Sequence, residues 1–235
     1  MVRKGGIGIL GGSFNPVHTG HVRMAVEVME RLGLFRVDLV PAAVPPHKSS
    51  QGLLPFDLRL ELCELAVEGV PGLYANPIEG ERPGPSYTCD TLTCYAAPPA
   101  ELFFLLGAGT FLELPQWQRG LELPDLANLV CINRGFSAAQ EQGVPPFAAV
   151  AAFVSGHWPE ARPMSQGPEP SWQFPSGAQL ICLEIPRLDI KAEDIRERWR
   201  SERNFSLLVP PGVEQWLKRN GSVLKTVWGS RSGTQ

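Results

Sequence analysis

The chain has no run of basic residues and no surplus of positive charge: 21 Lys and Arg face 24 Asp and Glu, a net charge of −3. A nucleic-acid polymer is therefore not an expected partner, and the anions it binds should be small and met locally. Cys-x-x-Cys spacing is also missing. The five cysteines (Cys63, Cys89, Cys94, Cys131 and Cys182) are odd in number and scattered, which predicts reduced thiols and not a disulfide framework or a zinc site. No cleavable apolar leader opens the chain and no apolar stretch is long enough to span a bilayer, so the expected location is the cytoplasm, away from membranes. Internal repeats are absent. What remains is 235 residues, 43% hydrophobic and 19% charged, an ordinary globular composition that can bury a full core.

Apolar runs alternate with helical patterns, which predicts an α/β fold with a mainly parallel sheet. Strands are expected at 7–10, 36–40, 73–75, 102–106, 126–132 and 179–183, and helices at 21–32, 57–68, 87–95, 194–200 and 211–219. In the first helix Val22, Ala25, Val26, Met29 and Leu32 recur at helical spacing and should face the sheet, with Gly33 as a C-cap. Residues 134–178 break the rhythm with seven prolines and read as an insertion or flap on a single 1–235 domain. A C-terminal helical piece follows at 186–220.

The most informative run is Gly11-Gly12-Ser13-Phe14-Asn15-Pro16-Val17-His18-Thr19-Gly20-His21, between a strand and a helix. Glycines let the backbone approach an anion, and a helix N-terminus aims N–H groups at it. His18 and His21 add imidazole donors at that helix mouth, suited to charge that develops in a transition state. The overlapping Gly6-Ile7-Gly8-Ile9-Leu10-Gly11 fits the dinucleotide-binding G-x-G-x-x-G pattern. That pattern needs a strand before it, and Met1–Gly5 is none, so the dehydrogenase reading is set aside. A second candidate is the proline-stiffened run Val40–Lys48, whose His47 and Lys48 would be aimed across the carboxyl edge of the sheet, where ligands of open α/β folds sit.

The glycine–histidine run resembles the signature of nucleotidyltransferases with a His-x-Gly-His motif. Further blocks keep the same order: Pro45-Pro46-His47-Lys48, Arg59–Ala66, Glu79 and Arg82 with Pro85–Leu92, and Phe104–Gly107 with Trp117. Together, over roughly residues 6–218, they resemble the bacterial nicotinate mononucleotide adenylyltransferase family. The resemblance implies a Rossmann-like, doubly wound parallel sheet with a short C-terminal helical subdomain. It implies transfer of the adenylyl group of ATP to nicotinate mononucleotide, with Mg²⁺ accompanying ATP, in NAD biosynthesis. Gly11, Gly12, Ser13, Phe14 and Gly20 would line the nucleotide site. His18, His21, Lys48 and Arg196 would be catalytic, with His47 beside them. Tyr87, Thr88, Gly107 and Trp117 would frame the mononucleotide. Two departures stand out. The family usually has an aspartate where this chain has Gly109, and Ile-Ser-Ser-Thr-x-Ile-Arg where it reads Ile190-Lys191-Ala192-Glu193-Asp194-Ile195-Arg196. Lys191 is expected to take over a phosphate contact from the missing hydroxyls. Alternatives are another phosphorylated acceptor, such as nicotinamide mononucleotide, or a degenerate nucleotide-binding module with little turnover. Oligomeric state is left open.

Overall fold

The computed structural model describes residues 5–46, 51–133 and 146–229. The chain divides into two compact units, one of residues 1–11, 27–37 and 87–187 and the other of 12–26, 38–86 and 188–235.

The first unit is built on a sheet. Strands β1 (Ile7–Gly12), β4 (Leu102–Gly107), β5 (Asn128–Asn133) and β8 (Gln179–Glu184) lie side by side in parallel, with Ile9 opposite Phe104, Gly107 opposite Ile132 and Asn133 opposite Glu184. Leu102–Leu106 and Leu129–Ile132 are fully buried along their whole length, the continuous apolar pattern of parallel strands. Asn128 aligns their starts. Its Nδ2 donates to Ala100 O and Leu102 O, and its Oδ1 accepts from Gln179 N–H at 2.9 Å. Aligned starts give aligned carboxyl ends, the edge at which open α/β sheets bind ligands.

Residues 146–178, within the expected insertion or flap, carry regular secondary structure. Helix α5 (Ala148–His157) buries Val150 and Val154, and strands β6 (Arg162–Ser165) and β7 (Ser171–Gln173) extend the sheet antiparallel beyond β8. Alanines filling α5 erase its helical periodicity, and the short β6 is exposed along its whole length with no alternating buried face, so neither is legible from the sequence. Residues 134–145 lie outside the described residues.

The second unit holds most of β2 (Arg36–Pro41), all of β3 (Leu73–Ala75), and helices α2 (Phe56–Val67), α6 (Ala192–Arg200), α7 (Pro211–Arg219) and α8 (Gly221–Trp228). Asn76 N–H donates to Leu39 O at 2.9 Å, and Ala42 N–H to Gly12 O at 2.8 Å. The C-terminal helical piece therefore runs on past residue 220 to Trp228. Helix α1 (Thr19–Leu32) ends as expected, with Gly33 left-handed at φ 61. Its buried stripe is Met24, Ala25, Val28 and Leu32, while Val22, Val26 and Met29 are half-buried. Seven apolar residues between 22 and 32 make a face too wide for periodicity to find its centre.

Candidate active site

Between β1 and α1 the chain makes a tight, buried turn. Phe14 adopts φ 44 and is 3% exposed, and its ring would press within 3.1 Å of any Cβ placed at Gly12. Behind it His18 and His21 stack, ring centroids 3.6 Å apart and planes 22° apart, with Phe14 edge-on to His21 at 5.0 Å. Gly20 makes this stack possible: a Cβ there would lie 3.1 Å from His18 Nδ1. The His18 backbone N–H donates to His21 Nδ1 at 3.2 Å. An accepting Nδ1 carries no proton, so neutral His21 is the Nε2–H tautomer and Nε2 is its donor.

The turn is fastened by groups from distant segments. Arg59, in α2, is 1% exposed. Its Nη1 donates to Ser13 O at 2.9 Å, its Nε to Leu54 O at 2.7 Å, and its Nη2 to Ala43 O at 3.3 Å. Burial pushes its pKa down, while Cys63 and Glu79 act the other way. Glu79 also accepts from Ala43 N–H, and Val44 exchanges two bonds with Ser86, through its N–H to Ser86 Oγ and through its carbonyl from Ser86 N–H. Residues 42–44 are thus held from three sides. His47 and Lys48, which they lead to, lie outside the described residues.

Asn15 is the other fastening point. Its Oδ1 accepts from Leu54 N–H and from Trp228 Nε1–H, its Nδ2 donates to Gly52 O at 2.6 Å, and its carbonyl accepts from Arg196 Nη1 at 2.8 Å. Arg196 is half-buried, and burial lowers its pKa, with Glu193 opposing and Arg200 adding to the effect. Lys191 stands exposed at the N-cap position of α6, where no side chain caps the helix, and Glu193 and Asp194 fill the first turn. It shares a cleft of ≈ 260 Å³ with Asp189, Asp194, Glu197, Arg198 and Arg203.

The remaining expected residues belong to the first unit. Gly11 lies one residue before the end of β1, Gly107 closes the neighbouring β4, and α4 (Ala108–Leu112) starts directly after Gly107. A Cβ at Gly107 or Gly109 would meet nothing within 4 Å, so open space stands where the aspartate is expected. Trp117 is half-buried, edge-on to Phe104 at 6.3 Å, and ends a 3₁₀ turn. Its Cβ and Leu114 O crowd Gly120 so closely that only glycine fits there. Helix α3 (Thr88–Thr93) is shorter than expected, and its N-cap is Tyr87, because Ser86 is committed to Val44.

The structure therefore brings Gly12, Ser13, Phe14, His18, Gly20, His21 and Arg196 together around one turn. Two contributors went unread. Arg59 stands in the sequence only as the start of the Arg59–Ala66 block, and the signal for its fastening role is a lone arginine within an apolar helix face. Asn15 gave no signal beyond preceding a proline.

A family model described as cytidylyltransferase-like matches residues 9–198. Proteins named nicotinate-nucleotide adenylyltransferase resemble nearly the whole chain. That of Geotalea uraniireducens is 38% identical over 215 residues, 90% of this chain and 95% of the relative. That of Chromohalobacter salexigens is 38% identical over 223 residues, 93% and 96% of the two chains. Among solved structures, Plasmodium falciparum nicotinic acid mononucleotide adenylyltransferase in complex with NaAD superposes with a TM-score of 0.62 over 94% of this chain and 98% of its own. The identity there is 15%, so that likeness speaks to the fold.

Proposed function

The chain belongs to the cytidylyltransferase-like family, among the nicotinate-nucleotide adenylyltransferases, and we infer that it transfers the adenylyl group of ATP to nicotinate mononucleotide, giving deamido-NAD and pyrophosphate in NAD biosynthesis. The observation that carries the site assignment is the stacked His18–His21 pair at the mouth of α1, after a turn whose Ser13 and Asn15 are held by Arg59 and Arg196.

The reaction needs no nucleophile from the protein. A phosphate oxygen of the mononucleotide attacks the α-phosphorus of ATP, the bond to the bridging oxygen breaks, and pyrophosphate leaves with the electron pair. Catalysis then rests on placement and on fixed donors where charge builds up. His21 offers Nε2–H in a tautomer set by the His18 main chain. His18 stacks beneath it and keeps the ring from turning. Arg196, tied to Asn15 O by Nη1, retains further N–H donors for phosphate oxygens. Lys48 and His47 are proposed to join from the loop after β2, and Lys191 to meet phosphate from the start of α6. Gly11, Gly12, Ser13 and Phe14 would hold the nucleotide. Tyr87, Thr88, Gly107 and Trp117 would hold the mononucleotide, the indole offering a flat face to the pyridine ring.

Among the described residues no group of three or more His, Cys, Asp or Glu side chains is arranged to hold a metal ion. A divalent cation, Mg²⁺ in this proposal, would arrive with the triphosphate as part of the substrate, where it would offset phosphate charge.

The test is a comparison of acceptors with ATP and Mg²⁺, following pyrophosphate. Nicotinate mononucleotide should exceed its amide by at least about tenfold in kcat/KM, which ~1.4 kcal/mol of carboxylate recognition supplies. Equal use of both would remove the carboxylate pocket from the reading. ATP binding without pyrophosphate release from either acceptor would leave a nucleotide-binding module.

A further inference from the structure

The first turn of α1 is gripped by a segment almost 190 residues away, and we propose that the turn Phe205–Val209 is a positioning strap for the His18–His21 pair, acting through Thr19. The backbone N–H of Thr19 donates to Leu208 O at 3.0 Å, and its hydroxyl to Leu207 O at 3.1 Å. At the first position of a helix the N–H has no partner inside the helix. Here both donors of one residue are spent on two consecutive carbonyls of the same turn.

The turn bears the mark of a conformation kept for its main chain. Leu208 N–H closes it onto Phe205 O at 3.2 Å, which puts Leu207 at the third position with φ 66, a place that favours glycine or asparagine. The leucine gains nothing by burial, since it is 85% exposed while Phe205 and Val209 on either side are buried. A residue in a disfavoured backbone region without a side-chain reason points to what its peptide groups do. They face Thr19.

Fixed groups hold the strap from behind. Ser206 Oγ donates to Glu214 Oε1 at 2.5 Å, Ser206 N–H to Asn204 Oδ1 at 2.7 Å, and Arg198 Nη1 to Asn204 O at 3.0 Å. Lys218 pairs with the same Glu214 carboxylate. Helices α6 and α7 therefore brace the turn that fixes Thr19. Thr19 follows His18 directly, and the His18 N–H sets the His21 tautomer. Thr19 is thus a positioning residue, and its relevance to turnover rests on the adenylyltransferase reading above.

Thr19→Val keeps the side-chain shape and removes the hydroxyl donor, whereas Thr19→Ser keeps the donor. The valine variant should lose roughly ten- to a hundredfold in kcat, as expected for a small misplacement of catalytic groups, with KM for nicotinate mononucleotide unchanged and the serine variant restored. Imidazole ¹⁵N signals should report the Nε2–H tautomer of His21 in the parent and a mixture in the valine variant. Parental kcat in the valine variant overturns the proposal, and so does a fall in kcat with unchanged imidazole signals. Should the parent release no pyrophosphate, the transferase reading fails, while the imidazole signals still decide the strap. Should Thr19→Val not fold, Ser206→Ala removes one tie behind the strap, the bond to Glu214, without touching α1. It should move the His21 signals in the same direction, and unmoved signals there also overturn the proposal.

Discussion

In the proposed site His21 would act through Nε2, because its Nδ1 accepts from the His18 main chain. His21→Ala removes that donor from the proposed phosphate site and should reduce pyrophosphate release by roughly 10²–10³, the usual loss for one charge-stabilising donor. Tm should shift by no more than about 4 °C, since His21 is only half-buried. Near-parental turnover would end the assignment. Gly20 sets a competition between two effects. Alanine in a helix is favoured over glycine by about 0.5–1 kcal/mol, yet a methyl group here would press on His18 Nδ1 at 3.1 Å. Gly20→Ala should therefore hold or raise Tm while lowering kcat, as the stacked ring gives way by a few tenths of an ångström. A variant with full kcat would show that the imidazole stack tolerates displacement.

At the scale of elements, α2 is defined by what Arg59 does from its buried face. Arg59→Met preserves the length of the stem and strips the donors from Ser13, Leu54 and Ala43 carbonyls. It also leaves the buried Glu79 without the nearby guanidinium charge. Destabilisation of roughly 3–5 kcal/mol is expected for breaking such a buried arrangement, read by urea unfolding, and a loss below ~1 kcal/mol would contradict it. Helix α7 offers a gentler case. Glu214 is held below its ordinary pKa, first by Lys218 and then by Ser206. Its contribution is complete above the unfolded carboxylate value of about 4.3 and fades as pH falls through the lower folded value. Glu214→Gln should thus lower stability by a few tenths of a kcal/mol at pH 7, and parent and variant should converge as pH falls through the lowered folded value. The strands of the parallel core were legible because burial on both faces leaves unbroken apolar runs. Helices α5 and α8 and strands β6 and β7 were not. An alanine-filled helix has no period, and two strands of three and four residues are too short to show an alternation and draw their place from β8.

For the molecule as a whole, the order of motifs carried more than any one of them. Gly11 to His21, Arg59 and Arg196 lie far apart in sequence, and six of the expected residues (Gly12, Ser13, Phe14, His18, Gly20 and His21) meet Arg196 in one compact unit. Invisible beforehand were the contacts that run main chain to side chain, such as Arg59 to Ser13 O or Asn15 to Gly52 O. Any residue can supply a carbonyl, so no spacing announces these bonds. The outer rim of the sheet has a further consequence. Strand β6 ends the row, Pro163 has no N–H to offer, and its pairing with β7 slips between Pro163 and Ser165. A foreign strand arriving there meets a missing donor, a broken spacing and the charge of Arg162, three devices that discourage edge-to-edge growth. The first unit thus closes off, at that margin, the route by which an exposed sheet seeds fibres in a crowded cell, and it does so with one of the prolines that break the rhythm of residues 134–178.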